Sequence, residues 1–182
     1  EKIKGSLGMS AGILQFVVDA SKISLHDPDD NTLGTGTQAM IVPDFGAGAY
    51  VYSVDKRWYV GASVPQLFQS QVKFFNYATA SSSRLAAHAY ITGAYKFDVG
   101  TDFKVEPSAC IKYVNPAPLQ FDLGARGIYK ERYWLGAVYS HLDAVSVIFW
   151  FNILENISVA YSYDYTLTNI KKYSTGTHEL MI

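Results

Sequence analysis

Apolar and polar positions alternate with a period of two along nearly the whole chain, and no stretch longer than about ten residues carries the spacing of an amphipathic helix. The alternation predicts ten strands, over residues 3–18, 45–54, 57–64, 83–97, 102–113, 119–129, 133–140, 144–153, 157–165 and 177–182. The stretch FKVEPSACIKYV shows it most plainly. Phe103, Val105, Pro107, Ala109, Ile111 and Tyr113 fall on one face, and Lys104, Glu106, Ser108, Cys110 and Lys112 on the other. In LQFDLGARGIYK, Leu119, Phe121, Leu123, Ala125 and Tyr129 oppose Gln120, Asp122 and Arg126. In YSYDYTLTNI, Tyr161, Tyr163 and Tyr165 oppose Ser162 and Asp164. Pro107 has no N–H to give a ladder, so it predicts a bulge or an edge.

Alternation alone does not say which face meets water: a soluble sheet buries its apolar face, and a membrane barrel turns that face outward. The connections separate the two. DKR at 55–57, DVGT at 98–101, KER at 130–132 and LEN at 154–156 are short turns that fall at one end of an up-and-down sheet. The long pieces, 19–44, 65–82 and 166–176, fall at the other, with the brief links NPAP and HLD. Outer-membrane barrels have this asymmetry. An even strand number places Glu1 and Ile182 together at the short-turn end. Trp58, Tyr59, Tyr129, Tyr133 and Trp134 flank the short turns, where amphipathic rings suit a headgroup layer.

The expected fold is therefore all-β, a transmembrane antiparallel up-and-down β-barrel in a single domain over 1–182. Leu123 and Val159 are placed toward lipid, and Lys104, Glu106, Lys112, Asp122, Arg126, Asp164 and Glu179 toward the lumen, where opposite charges neutralise one another. The register of the last hairpin stays open. With Leu180 and Ile182 outward, Glu179 comes inward near Asp164 and the two acids call for a cation, Arg126 or Lys112. A one-residue slip instead faces Asp164 with His178.

Composition sharpens this picture. Charged residues make up 17% of the chain, below the roughly 25% of soluble domains, and 14 tyrosines lead a 15% aromatic share. A net charge of −1 excludes the basic footprint of a nucleic-acid binder. No run of about 18 apolar residues predicts a transmembrane helix, and Glu1 does not open a signal peptide. Cys110 is the only cysteine, so no intrachain disulfide forms.

Candidate chemistry is sparse. His26, His88, His141 and His178 lack ligand spacing, and neither a nucleophile elbow nor a phosphate-binding loop is present. No catalytic residue, enzyme activity or cofactor is expected. HDPDDN, with Asp27, Asp29 and Asp30, is a weak candidate for a hard cation, a solvated acidic turn being the plainer reading. QLFQSQVKFFNY carries Phe68, Phe74, Phe75 and Tyr77, which either form a partner-contact surface or pack over the barrel mouth.

The phrases GMSAGILQF, HDPDD, PDFGAGAYVYS, WYVGASVPQLF, AHAYITGAYKF, EPSACIKYV, APLQFDLGAR, YWLGAVYS, VAYSYDYTLTNI and STGTHELMI run nearly the whole chain. Together they resemble the PorP/SprF family of Bacteroidota outer-membrane proteins of type IX secretion and gliding motility. YSYD followed by GTHE, with DFGAGAY and GASVP upstream, is the most specific part. Family members usually begin with a signal peptide and further strands, so the resemblance implies the C-terminal ten strands of a barrel of about fourteen. It also implies a noncatalytic anchor in the bacterial outer membrane. The implied partners are membrane lipid, periplasmic ring components, a peptidoglycan-binding lipoprotein and secreted adhesins with C-terminal sorting domains. A passive porin or solute channel is the alternative on the same architecture.

Overall fold

The computed structural model describes residues 2–19, 22, 36–72, 83–154, 156–173 and 175–182. Its strands are β1 Ile3–Asp19, β2 Thr37–Ser53, β3 Trp58–Val64, β4 Gln71–Val72, β5 Ser83–Arg84, β6 His88–Tyr95, β7 Phe97–Val99, β8 Phe103–Val114, β9 Gln120–Tyr129, β10 Tyr133–Ser140, β11 Ala144–Leu154, β12 Ile157–Thr166 and β13 Thr177–Met181. Eleven of them form one sheet in the order β1-β2-β3-β6-β8-β9-β10-β11-β12-β13, with β7 also paired to β8. Every pairing is antiparallel between chain neighbours in that sheet, so the topology is up-and-down. β4 and β5 make a separate two-stranded ribbon. The sheet is not closed: β1 and β13 are its edges. Among the described residues no helix is long and apolar enough to cross a membrane.

Most strands lie within a residue of the sequence expectation; two segments depart further, and β4 falls in a segment expected to be a loop. β2 begins at Thr37, within the segment expected to be a loop, and pairs with β1 without interruption from Ile3↔Ser53 to Asp19↔Thr37. Met40 and Val42 make the inward positions apolar there, which erases the contrast that marks a strand by alternation. The segment 83–97 is divided into β5, β6 and β7. β6 stops pairing at Ala94↔Ser108 and β7 resumes at Phe97↔Val105, leaving the ladder open opposite Glu106 and Pro107. Thr92 donates its hydroxyl to the carbonyl of Ala109, so that residue's backbone faces β6. Pro107 has the same parity, and the N–H it lacks is the one this ladder needs.

The register of the last hairpin is settled by Ser162↔Glu179, Tyr163↔His178 and Asp164↔Thr177. Glu179 shares a face with Ser162 and Asp164, and His178 lies among the tyrosines. Gly176 makes the return possible. Its φ is +104°, and a Cβ there would stand 2.5 Å from the Asp164 carbonyl oxygen.

Across this sheet the usual relation of polarity to burial is reversed. Leu123 is 52% exposed and Ile111 42%, whereas Glu106 is 7% exposed. From β3 through β12 the outward row in the paired segments reads Trp58, Val60, Ala62, Ala89, Ile91, Tyr95, Phe103, Val105, Pro107, Ala109, Ile111, Leu123, Ala125, Leu135, Val147, Phe149, Tyr161 and their neighbours, with no Asp, Glu, Lys or Arg. Such a face is costly to hydrate and suits contact with hydrocarbon.

Candidate functional site on the inner face

From β3 through β12 the acidic and basic side chains of the paired segments lie on the opposite, inner face. Glu106 on β8 stands directly across from Arg126 on β9, and the Arg126 guanidinium donates to its carboxylate at 2.7 Å. Lys96, at the gap between β6 and β7, approaches the same carboxylate at 3.8 Å. The break opposite Pro107 therefore sits beside the inner face's most buried acid. Arg126 also lies over the Trp134 ring, 5.1 Å from its centre, and its Nε has no hydrogen-bond partner. Trp134 in turn stacks on Trp150 across the β10–β11 pairing, 5.6 Å between ring centres. Glu106, Arg126 and Trp134, together with Tyr59, line a cavity of about 220 Å³.

A second pair lies further along β8 and β9, where Lys112 Nζ meets Asp122 at 2.6 Å. Lys104 pairs with Glu131 of the β9–β10 turn, and this bond holds the Glu131 carboxyl below its ordinary range. Asp164 faces Ser146 and Thr177, and Glu179 accepts from Ser162 at 3.5 Å. Neither meets the cation expected for them: Arg126 and Lys112 are engaged by Glu106 and Asp122. The seven polar residues named from the sequence thus lie on one face, and the structure joins four of them in two direct pairs. Toward β1 charges thin out on the same face: Ser6, Gly8 and Ser10 stand opposite Tyr50, Gly48 and Gly46, with Lys4 opposite Tyr52 and Asp44 opposite Gly12 on either side of them.

Lys96 and the inward aromatics Tyr59, Trp134 and Trp150 were not identified from the sequence. Tyr59 and Trp134 were placed in the outer aromatic layer, and the register corrects this: Tyr59 opposes inward Tyr52, and Trp134 opposes Ile128 and Trp150. Their parity relative to Trp58 and Tyr133 carried the signal.

The outward aromatics form two belts. At the short-turn end Tyr95 neighbours Phe97, and Phe103, Tyr129, Tyr133 and Phe151 follow in cross-strand register. At the other end lie Tyr113, Phe121, Tyr139 and Tyr165. Phe103 and Tyr113 are ten residues apart on β8, about 33 Å along a strand and about 25 Å once a tilt of about 40° is allowed for. That is the height of an outer-membrane apolar band. Phe68 is exposed and packs edge-on against outward Phe45, ring centres 4.6 Å apart. Phe74, Phe75 and Tyr77, and the acidic trio Asp27, Asp29 and Asp30, lie outside the described residues. Among the described residues no three His, Cys, Asp or Glu side chains gather as metal ligands.

Comparison with known proteins gives one result. The family model of the type IX secretion system membrane protein PorP/SprF matches residues 1–182. No curated protein matches the chain, and no solved structure does.

Proposed function

Because the chain belongs to the PorP/SprF family of type IX secretion system membrane proteins, we propose that it is a noncatalytic outer-membrane component of that machine. Its strands would cross the bilayer with the apolar face in lipid and the ion-paired face toward a lumen. The observation that carries the reading is the family match over the whole chain, joined to a sheet whose exposed face is apolar and whose charges are turned inward. Short turns on one side and long connections on the other support an orientation with the turns in the periplasm. Periplasmic ring components and a peptidoglycan-binding lipoprotein would meet the turn end, and secreted adhesins with C-terminal sorting domains would be handled at the lumen or the long-loop end. The inner face supports binding more than acid and base work, since Glu106 and Asp122 are matched to neighbouring cations.

Crosslinking in native membranes followed by purification tests this. Recovery of ring components, the lipoprotein or adhesin sorting domains is expected. Recovery of the barrel alone, together with a large steady single-channel conductance in planar bilayers, would replace the proposal with a passive porin.

A further inference from the structure

The β9–β10 turn carries a feature that the secretion role does not use. Lys130 and Arg132 flank Glu131, and both extend over outward rings. Lys130 Nζ is 5.3 Å from the centre of Tyr129. The Arg132 guanidinium is 5.9 Å from Tyr133 and 5.4 Å from Phe151. Tyr129 and Tyr133 are cross-strand partners, so both cations sit at the lower edge of the apolar band.

Beside them β11 is irregular. Its pairing with β12 shifts between Asn152 and Leu154, a bulge of the kind that re-aims side chains at a sheet rim. The bulge turns carbonyls toward Arg132, which donates from Nε to Asn152 at 3.1 Å and from Nη2 to Ile153 at 3.4 Å. Asn152 Nδ2 donates back to the Glu131 carbonyl at 3.2 Å. The guanidinium is thus fixed in place with two of its five N–H groups engaged by these bonds. Arg132, Glu131, Asn152, Ile153 and Leu154 line an open groove of about 430 Å³, and Ile153 and Leu154 are exposed beside it. Among the described residues the turn keeps one positive charge in excess, Lys104, Lys130 and Arg132 standing against Glu131 and Asp102. Glu131 is taken by Lys104, and Asp102 stands 3.9 Å from Lys130.

We propose that this notch is a binding site for an anionic phospholipid, its phosphate diester held by Arg132, with Lys130 adding positive charge along the same turn and an acyl chain lying along Ile153 and Leu154. A rigid, multi-donor guanidinium suits phosphate oxygens, and the rings beneath it belong to the layer where headgroups lie. The net positive balance selects phosphatidylglycerol over phosphatidylethanolamine, whose ammonium meets the same cations. The inference rests on the assignment of the apolar face to lipid.

The full chain reconstituted in phosphatidylethanolamine vesicles with graded phosphatidylglycerol tests it, with retained lipid counted by native mass spectrometry after mild detergent extraction. Heat-modifiable gel mobility reports folding and insertion separately, so failure of insertion is distinct from failure of the site. Phosphatidylglycerol is expected to be retained over phosphatidylethanolamine. Arg132→Gln and Lys130→Gln should each weaken retention about fivefold, and Arg132→Lys should keep only part of it, since the charge stays but the fixed fork of donors is lost. Because Arg132→Gln also removes bonds to the bulge, Lys130→Gln serves as the independent variant. Equal retention by wild type and both Gln variants would overturn the proposal. So would competition by inorganic phosphate that displaces all phosphatidylglycerol, since the site would then take the free anion rather than the lipid.

Discussion

Single residues in this sheet differ in cost according to the face they occupy. Leu123 stands outward between Ala109 and Tyr139, and Leu123→Arg should impair folding into phospholipid vesicles by about 2–4 kcal/mol if it lies near the midplane. Asp122, one position away, faces Lys112 on the partly solvated inner side, and Asp122→Asn should cost about 1 kcal/mol or less. Urea titration of refolding in vesicles measures both, and a reversed order would exchange the faces. At the turn end Ser53 is fully buried and accepts the backbone N–H of Arg57 at 2.9 Å and of Trp58 at 3.1 Å. Ser53→Ala leaves both donors without that acceptor and should cost about 1–3 kcal/mol. A hydrogen bond from Ser53 is also the main reason the Asp55 carboxyl sits below its ordinary value. A depressed carboxyl contributes stability above its unfolded pKa and loses it as pH falls through the folded one. Stability of Ser53→Ala should therefore fall less between neutral and acidic pH than that of the wild type. An unchanged acid slope would show that Asp55 owes its shift to something else.

Among the elements, the break between β6 and β7 has an identifiable cause. Pro107→Val supplies the missing donor opposite Tyr95, so the two strands should join and the sheet should gain about 0.5–1.5 kcal/mol. Slow amide exchange at the N–H gained at position 107 and higher urea resistance would register this. A loss of stability would mean that the gap is needed to bring Lys96 to Glu106. Elements with strong alternation were legible in the sequence: β8, β9, β10 and β12 lie within a residue of their expected bounds. β2 was cut short because Met40 and Val42 make both faces apolar. The ion pairs were only half legible. Parity assigns Glu106 and Arg126 to one face, but their partnership depends on a register that alternation does not determine. His178 illustrates the same limit. Only the pairing Tyr163↔His178 shows that its Nδ1 meets the Tyr161 hydroxyl at 2.6 Å on the outward side.

At the scale of the whole molecule, the two edges of the sheet are unequal. β1 presents 17 residues and β13 five. Hydrocarbon offers no partner to free ladder groups, so each edge requires a strand neighbour in a membrane, and in this sheet β1 and β13 do not pair with each other. Cysteines placed at facing edge positions of β1 and β13 should therefore fail to form a disulfide in the folded protein. Efficient crosslinking would mean direct closure. The proposed function turns on which medium each face of the sheet meets, apolar side chains in lipid and ion pairs in a lumen. Spin labels placed singly at residues 119–129 in a Cys110→Ser background, in vesicles, read this out position by position. Odd positions should be accessible to oxygen and even positions to a water-soluble nickel complex, alternating along β9. The opposite phase, or accessibility without a period of two, would contradict lipid contact on the apolar face.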